Sequence, residues 1–367
     1  MTANGKIYDM SNEKRYGHAG KMHPTALSIF LNTVMDVLVF LGASIGFIVQ
    51  AIYYRITGHP EVSLNGDLAL VTGGGGGLGR LLSLRLAKLG VDVVIWDINQ
   101  EGIDETVRQV KSIGGRCNGY VVDISKKEEV YKSAETIRKE IGNVSVLINN
   151  AGVVSGRAFL DTPDHLIERS FNVNVLAHFW TTKAFLPAML EKDHGHIVTI
   201  ASLAGHVGIA KLVDYCSSKF AAVGFDEALR LELESIGSRG VTTTCICPFF
   251  IQATGMFDDV NSRWVPTLTS EDVADRIIGS ILRREKTVII PSYLQFMLAM
   301  KWIFPWGCTA GFLRRIVPDA APKHGLTNGL PQIQKEIEMA TEKLVNNNNK
   351  GTSLLVKRTP SVGERVL

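Results

Sequence analysis

The run Thr72-Gly73-Gly74-Gly75-Gly76-Gly77-Leu78-Gly79 directly follows the apolar stretch Leu68-Ala69-Leu70-Val71, and it narrows what this chain can fold into. It predicts a strand that turns sharply into a helix. Glycines there remove the Cβ atoms that would keep backbone N–H groups away from a bound pyrophosphate, and the helix that follows aims its positive end at the same point. A flexible linker could share this composition, so the next segment carries weight. Val91-Asp92-Val93-Val94-Ile95-Trp96 reads as a buried strand ending in Asp97. That acid lies about twenty residues past the glycines, the spacing at which a carboxylate binds an adenosine ribose and repels a 2′-phosphate. Ile98 rather than a basic residue follows Asp97, and Arg80 is the nearby cation, so the pattern points to NAD, with NADP the lesser fit.

Apolar strands then alternate with helical stretches. Strands are expected at 67–71, 91–96, 118–122, 144–149, 196–200, 240–247 and 287–290, and helices at 79–89, 101–113, 127–141, 164–189, 214–236 and 271–283. Ser270 is the expected N-cap of the last helix. This alternation predicts an α/β fold, a Rossmann-type doubly wound parallel sheet of about seven strands. A chain of 367 residues, 46% hydrophobic, can build one such domain with appendages. A net charge of +3 with dispersed basic residues gives no footprint for nucleic acid. The five cysteines, Cys117, Cys216, Cys245, Cys247 and Cys308, follow no metal-ligand or redox spacing and read as reduced thiols, with Cys245 and Cys247 packing one face of a strand. His194 and His196 lack a third ligand, so no metal site is expected. His178 and His206 read as surface residues or as neighbours of the site.

Residues 26–54 are apolar apart from Asp36 and a few neutral polar residues, long enough to cross a bilayer at about 1.5 Å per residue. The run is longer than a signal-peptide core and reads as a retained anchor, with Asp36 near the interface and Val37 through Tyr53 embedded. Lys14, Arg15 and Lys21 precede it and Arg55 follows, which favours a cytosolic N-terminus. A single span would then place the remainder in a lumen, against the thiol reading; a segment that dips in and returns, or lies in the interface, keeps it facing the cytosol. The sequon Asn143-Val144-Ser145 runs into an apolar strand and is read as accidental. Gly42 and Gly46 have helix-contact spacing and leave a homo-oligomer open.

The chemistry is expected at the carboxyl ends of the later strands. Tyr215-Cys216-Ser217-Ser218-Lys219 puts a phenol and an ammonium on one helix face. A tyrosine titrating near ~10 needs a shift of roughly 3 units, about 4 kcal/mol, to act as a base near neutrality, which Lys219 and a cationic nicotinamide ring would supply. Ser202, after the strand His196 to Ile200, is placed to donate to a carbonyl or alkoxide oxygen.

With these elements in order, roughly residues 66 to 290 resemble the short-chain dehydrogenase/reductase family. The resemblance implies that Gly73, Gly77 and Gly79 are cofactor glycines with Leu78 among them, Asp97 the NAD-selecting acid, and Asp123, with Ile124 beside it, the adenine-contacting acid. It implies that Asn150, Ala151 and Gly152 of Asn149-Asn150-Ala151-Gly152 flank the cofactor. Asn174 matches the helix asparagine that holds a water in a proton relay, with Asn172 its rival, and Ser202, Tyr215 and Lys219 complete a catalytic tetrad. Where the family has Pro-Gly, Pro248 is followed by Phe249 and Phe250, so the nicotinamide contacts Pro248, Ile251 and Thr254 are less firmly carried over. Val94-Ile95-Trp96-Asp97-Ile98-Asn99, Asn149 through Gly156, Phe179 through Pro187 and Thr254-Gly255-Met256-Phe257 further resemble a membrane-associated branch of retinol dehydrogenases and lipid-droplet 17-beta-hydroxysteroid dehydrogenases. Its implication is hydride transfer between NAD and a lipophilic alcohol, retinol first and a hydroxysteroid or long-chain alcohol second, at the endoplasmic reticulum membrane or lipid droplet. A membrane or lipid-droplet binding platform is the non-enzymatic alternative.

The loop from Pro248 to Trp264 should cover the site, with Phe249, Phe250, Met256 and Phe257 contacting substrate together with Ser202 and Tyr215; the same aromatics could instead pack the loop down. Tyr293 through Trp306 fits an interfacial helix near the entrance. The expected organisation is a polar tail (1–25), a membrane anchor (26–54), the dinucleotide domain (64–290), a hydrophobic extension (291–322) and a polar, disordered tail (323–367), with membrane lipid and a lipophilic small molecule as partners.

Overall fold

The structure, a computed structural model, describes residues 25–252, 256, 262 and 265–316. The chain divides after Pro60 into two units. The first holds helix α1 (Ala26–Thr57), begun at Thr25, whose hydroxyl oxygen accepts the Ser28 N–H at 3.3 Å. Its polar hydroxyls are satisfied within the helix: Thr33 donates to the Ile29 carbonyl at 2.9 Å and Ser44 to the Phe40 carbonyl at 2.7 Å. Leu31, Leu38, Phe40, Ile45, Phe47 and Ile48 leave apolar side chains exposed around it. A helix with apolar side chains all round, its Ser and Thr hydroxyls bonded to its own backbone, suits hydrocarbon. The stretch Ala26–Tyr54 is long and apolar enough to cross a membrane, by length and composition.

In the second unit seven strands form one parallel sheet: β1 (Leu68–Thr72), β2 (Asp92–Asp97), β3 (Cys117–Val121), β4 (Val146–Asn149), β5 (Gly195–Ile200), β6 (Val241–Pro248) and β7 (Thr287–Ile290), in the order β3-β2-β1-β4-β5-β6-β7. β1 pairs with β2 on one side and with β4 on the other, so the order reverses beside it and opens a crevice at the carboxyl ends. Alternate side chains face opposite layers. Ala69, Val71, Val93, Ile95, Ile148 and Val198 pack with the apolar stripes of α2 (Gly77–Lys88), α3 (Gln100–Ser112) and α8 (Ser270–Leu282). Leu70, Val94, Trp96, Leu147 and Ile197 face α4 (Lys127–Glu140) and α6 (Ala177–Glu191), and the end of α7 (Val213–Ser235) joins them through Leu233. Both faces are covered, which is why the strands read as apolar runs and not as alternating patterns.

Two sequence expectations need correction. The single helix expected at 164–189 is α5 (Asp164–Phe171), a π-helical turn over Asn172–Leu176, and then α6. The wider turn accompanies an Asn174 side chain bound to a neighbouring loop, a use typical of such turns near functional sites. The N-cap of α8 is Thr269 and not Ser270: Thr269 is extended and accepts the Asp272 N–H at 3.2 Å, whereas Ser270 is already helical and donates to the Gln252 carbonyl. Beyond β7, α9 (Leu294–Ile303) and α10 (Trp306–Ile316) follow. α9 packs inward through Leu294, Met297 and Leu298 against the cluster containing Phe249 and Phe250, while Phe296 and Trp302 stay exposed. The tails expected at 1–25 and 323–367 lie outside the described residues except Thr25, as does 317–322.

Candidate active site

The glycine loop closes as tightly as its composition requires. Gly73 and Gly77 have φ of 65° and 48°, and a Cβ on Gly79 would stand 2.1 Å from the Gly73 carbonyl oxygen. Gly76 caps α2 without a side chain, so the first N–H groups of that helix have no side-chain acceptor and face the crevice. Asp97, at the end of β2, accepts the Gly75 N–H through Oδ2 at 2.9 Å and the Asn99 N–H through Oδ1 at 3.0 Å. Arg80 turns away from an anion: its guanidinium donates to the Gly75 and Gly102 carbonyls and to the Thr106 hydroxyl. The Asn150 side-chain amide donates to the Thr72 and Gly73 carbonyls at 2.9 and 3.3 Å, and the Asn150 and Ala151 N–H groups donate to the Thr72 hydroxyl. The Asn-Asn-Ala-Gly stretch thereby fastens β4 to the glycine loop.

A cleft of about 960 Å³ runs along the carboxyl ends of the sheet. Gly73, Gly77, Leu78, Gly79, Asp97, Asp123, Ile124, Asn150, Ala151, Gly152, Pro248 and Ile251 line it, as do Ser202, Tyr215, Lys219, Phe249, Phe250 and Met256. Thr254, Phe257 and Trp264 lie outside the described residues. Phe249 and Phe250 touch edge-to-face, with ring centroids 4.8 Å apart, and are 7% exposed each, so they both line the cleft and belong to the core. Asn174 does not line the cleft, although its rival Asn172 does. Fully buried, Asn174 accepts the Val153 N–H at 2.8 Å and donates to the Val153 carbonyl and the Ser218 hydroxyl at 2.9 Å each.

At the closed end stand Ser202, Tyr215 and Lys219. Ser202 is hydrogen-bonded to Tyr215 and directs its hydroxyl toward the Pro248 carbonyl at 3.4 Å. The Lys219 ammonium donates to the Ile200 carbonyl at 2.8 Å and lies 5.7 Å from the centre of the Tyr215 ring. Burial pushes the Tyr215 phenol up, opposed by its Ser202 hydrogen bond. Burial also brings Lys219 down to about 8, against the raising effect of Cys245 and Cys247. Without the cationic nicotinamide ring that the expected lowering also requires, burial dominates the Tyr215 phenol.

Several residues escaped the sequence reading. His178, expected near the surface, is buried with neither ring nitrogen hydrogen-bonded, and burial lowers it to about 3, so its imidazole is neutral. His165, Glu168 and Arg169 of α5 line the cleft opposite the glycine loop; a helical spacing across residues 165–169 was the available signal. Asp214, next to Tyr215, is 6% exposed and receives the Ser155 and Ser170 hydroxyls. His194 and His196 part company: the first pairs with Asp67 and the second with Thr244. His206 meets the Cys247 thiol at 3.4 Å.

The short chain dehydrogenase family model matches residues 67–264, the span holding the glycine loop, the cleft and all four tetrad positions. The chain is a short-chain dehydrogenase/reductase. This dehydrogenase is 45% identical over 279 residues to epidermal retinol dehydrogenase 2 of Mus musculus, covering 75% of this chain and 90% of the relative. It is 43% identical over 272 residues to estradiol 17-beta-dehydrogenase 11 of Rattus norvegicus, covering 74% and 91%. A short-chain dehydrogenase/reductase from Burkholderia phymatum, solved in complex with NAD, shares the fold with a TM-score of 0.61 at 24% identity, covering 66% of this chain and 95% of that one. The dehydrogenase is thus an oxidoreductase.

Proposed function

We propose that this dehydrogenase oxidises a lipophilic alcohol with NAD at a membrane surface, retinol to retinal being the reaction it fits best. The observation that carries the reading is the meeting of Ser202, Tyr215 and Lys219 at the apolar end of a cleft whose other end is a side-chain-free helix N-terminus. Similarity to epidermal retinol dehydrogenase 2 supports retinol, and similarity to estradiol 17-beta-dehydrogenase 11 supports a 17-beta-hydroxysteroid as the second reading.

The chain fits the cofactor. Gly79 has no room for a Cβ, and Gly76 would meet nothing within 4 Å, which leaves the cleft floor open to phosphate oxygens. Asp97 on the ribose side and the commitment of Arg80 to backbone carbonyls support NAD over NADP. When bound, NAD supplies the hydride acceptor and a positive ring. Tyr215 takes the alcohol proton through its phenolic oxygen, Ser202 donates to the same substrate oxygen as charge develops, and Lys219 favours the phenolate. Asn174 is the residue assigned to hold a relay water, and Lys219 to bind the nicotinamide ribose. Phe249, Phe250 and Met256, with Thr254 and Phe257 of the covering loop, are assigned to cofactor and substrate contacts.

Helix α1 supports attachment at the endoplasmic reticulum membrane or lipid droplet, and cysteines that are all free support a cytosol-facing catalytic unit. Exposed Phe296, Trp302 and Trp306 support a second contact with lipid beside the cleft. The test is NADH formation by membranes containing wild type or Tyr215→Phe, supplied with NAD and all-trans-retinol or a 17-beta-hydroxysteroid. The expected result is retinol turnover that falls by about 10²-fold or more in the variant. Turnover of the steroid alone would select the second reading, and none with either would favour a binding platform.

A further inference from the structure

Asp214 opens a polar ladder that family resemblance did not assign. On α7, Asp214 and Ser218 are four residues apart and share a face; on the facing segment, Ser170 and Asn174 have the same separation. Between them passes the loop after β4, which carries Val153 and Ser155. In one rung the Asp214 carboxylate accepts the Ser155 hydroxyl through Oδ1 at 2.7 Å and the Ser170 hydroxyl through Oδ2 at 2.6 Å. In the other, Asn174 joins Val153 to Ser218, and Ser218 donates on to the Tyr215 carbonyl at 2.7 Å. Each rung ties the same three segments. Only the second contains a residue expected from the family.

We infer that Asp214 is a positioning residue: shared between Ser155 and Ser170, its carboxylate holds the β4 loop and α5 in register with the first turn of α7, and so fixes Tyr215 and Lys219 at the reacting end of the cleft. The inference rests on the oxidoreductase reading above. Successive helical residues point about 100° apart, so an Asp214 turned into the ladder leaves Tyr215 facing the cleft. The held loop also carries Gly152, where a Cβ would stand in ordinary contact with the Lys219 ammonium at 3.6 Å, so the loop and the lysine are neighbours. A carboxylate is needed less for its charge than for having two acceptors back to back. An asparagine can replace it, accepting from one serine and donating to the other, because a hydroxyl does both. An alanine cannot.

The experiment compares Asp214→Ala and Asp214→Asn with wild type, all as full chains in detergent micelles. Without cofactor, amide hydrogen exchange of residues 152–156 should quicken at least tenfold in Asp214→Ala and stay within threefold of wild type in Asp214→Asn. In turnover, Asp214→Ala should lose at least tenfold in kcat with KM for NAD and alcohol within threefold, since an error of about 1 Å costs about 10²-fold. Asp214→Asn should keep at least half of kcat. Wild-type exchange in Asp214→Ala, or kcat within twofold, overturns the inference; so does an Asp214→Asn as impaired as the alanine variant, which would make the charge the active property. If Asp214→Ala fails to fold, Ser155→Ala and Ser170→Ala each remove one bond and are judged by the same thresholds. A wild type without turnover on any lipophilic alcohol defeats the functional reading, while the exchange measurement still decides the ladder.

Discussion

Lys219 is a cation buried at the wall of the cleft, and its cost is visible in its titration. Unfolded, a lysine keeps its proton to about 10.5; in this fold, burial brings the value to about 8. Between those values the unfolded chain binds more protons than the folded one, so stability rises with pH through that window and is flat below it. The gap corresponds to about 3 kcal/mol. Wild type should therefore gain resistance to urea from pH 8 to 10 relative to Lys219→Met, whose profile should lack the rise; parallel profiles would refute the account. Tyr215 is present in both proteins, so its own contribution, which begins near its unfolded value of about 10 and has the opposite sign, is common to the two profiles. Desolvation is the part of this site that spacing does not carry: the interval between Tyr215 and Lys219 announces that they meet, and says nothing of how much water they lose.

The glycine loop is an element whose two ends make different demands. At Gly79 the demand is internal, because a Cβ would strike the Gly73 carbonyl and the Asn150 amide; at Gly76 nothing of the protein is within 4 Å. Gly79→Ala should lower the thermal midpoint, at a cost of about 1–3 kcal/mol, and weaken NADH binding together. Gly76→Ala should leave the midpoint within a degree or two and weaken NADH binding alone, as read by thermal melts and NADH fluorescence titration. Elements of this kind were legible because composition and position coincide: all seven strands stand at the expected places, and Gly73, Gly77, Gly79, Asp97, Ser202, Tyr215 and Lys219 share one cleft. Less legible was the break at Asn172–Leu176, which has no Gly or Pro to mark it and whose wider turn is tied to Val153, some twenty residues earlier. His178 sits among Ala177, Phe179 and Trp180, with no stripe to mark its face as buried. Asp214 takes its meaning from Ser155 and Ser170, far away in sequence, and Thr269 and Ser270 are adjacent hydroxyls between which only backbone geometry chooses.

For the whole molecule, α1 is the element on which the proposed membrane attachment rests. Its exposed apolar side chains surround the helix, so two arginines at its centre, as in Leu41→Arg with Val49→Arg, should each cost about 2.5–3.5 kcal/mol of insertion. Alkaline carbonate should leave wild type in the membrane pellet and release the double variant; equal retention would show that α1 does not hold the protein there. The order of the sheet adds a consequence for how the protein is made. β1 lies inside the sheet, yet its partner β4 follows more than seventy residues later, and the edge strand β7 comes after every other strand. At about 5–20 residues per second, the ribosome needs on the order of ten seconds or more to pass from α1 to β7. The sheet therefore closes on a chain whose most apolar segment has long since emerged, so α1 is available to a membrane before the catalytic unit can finish folding.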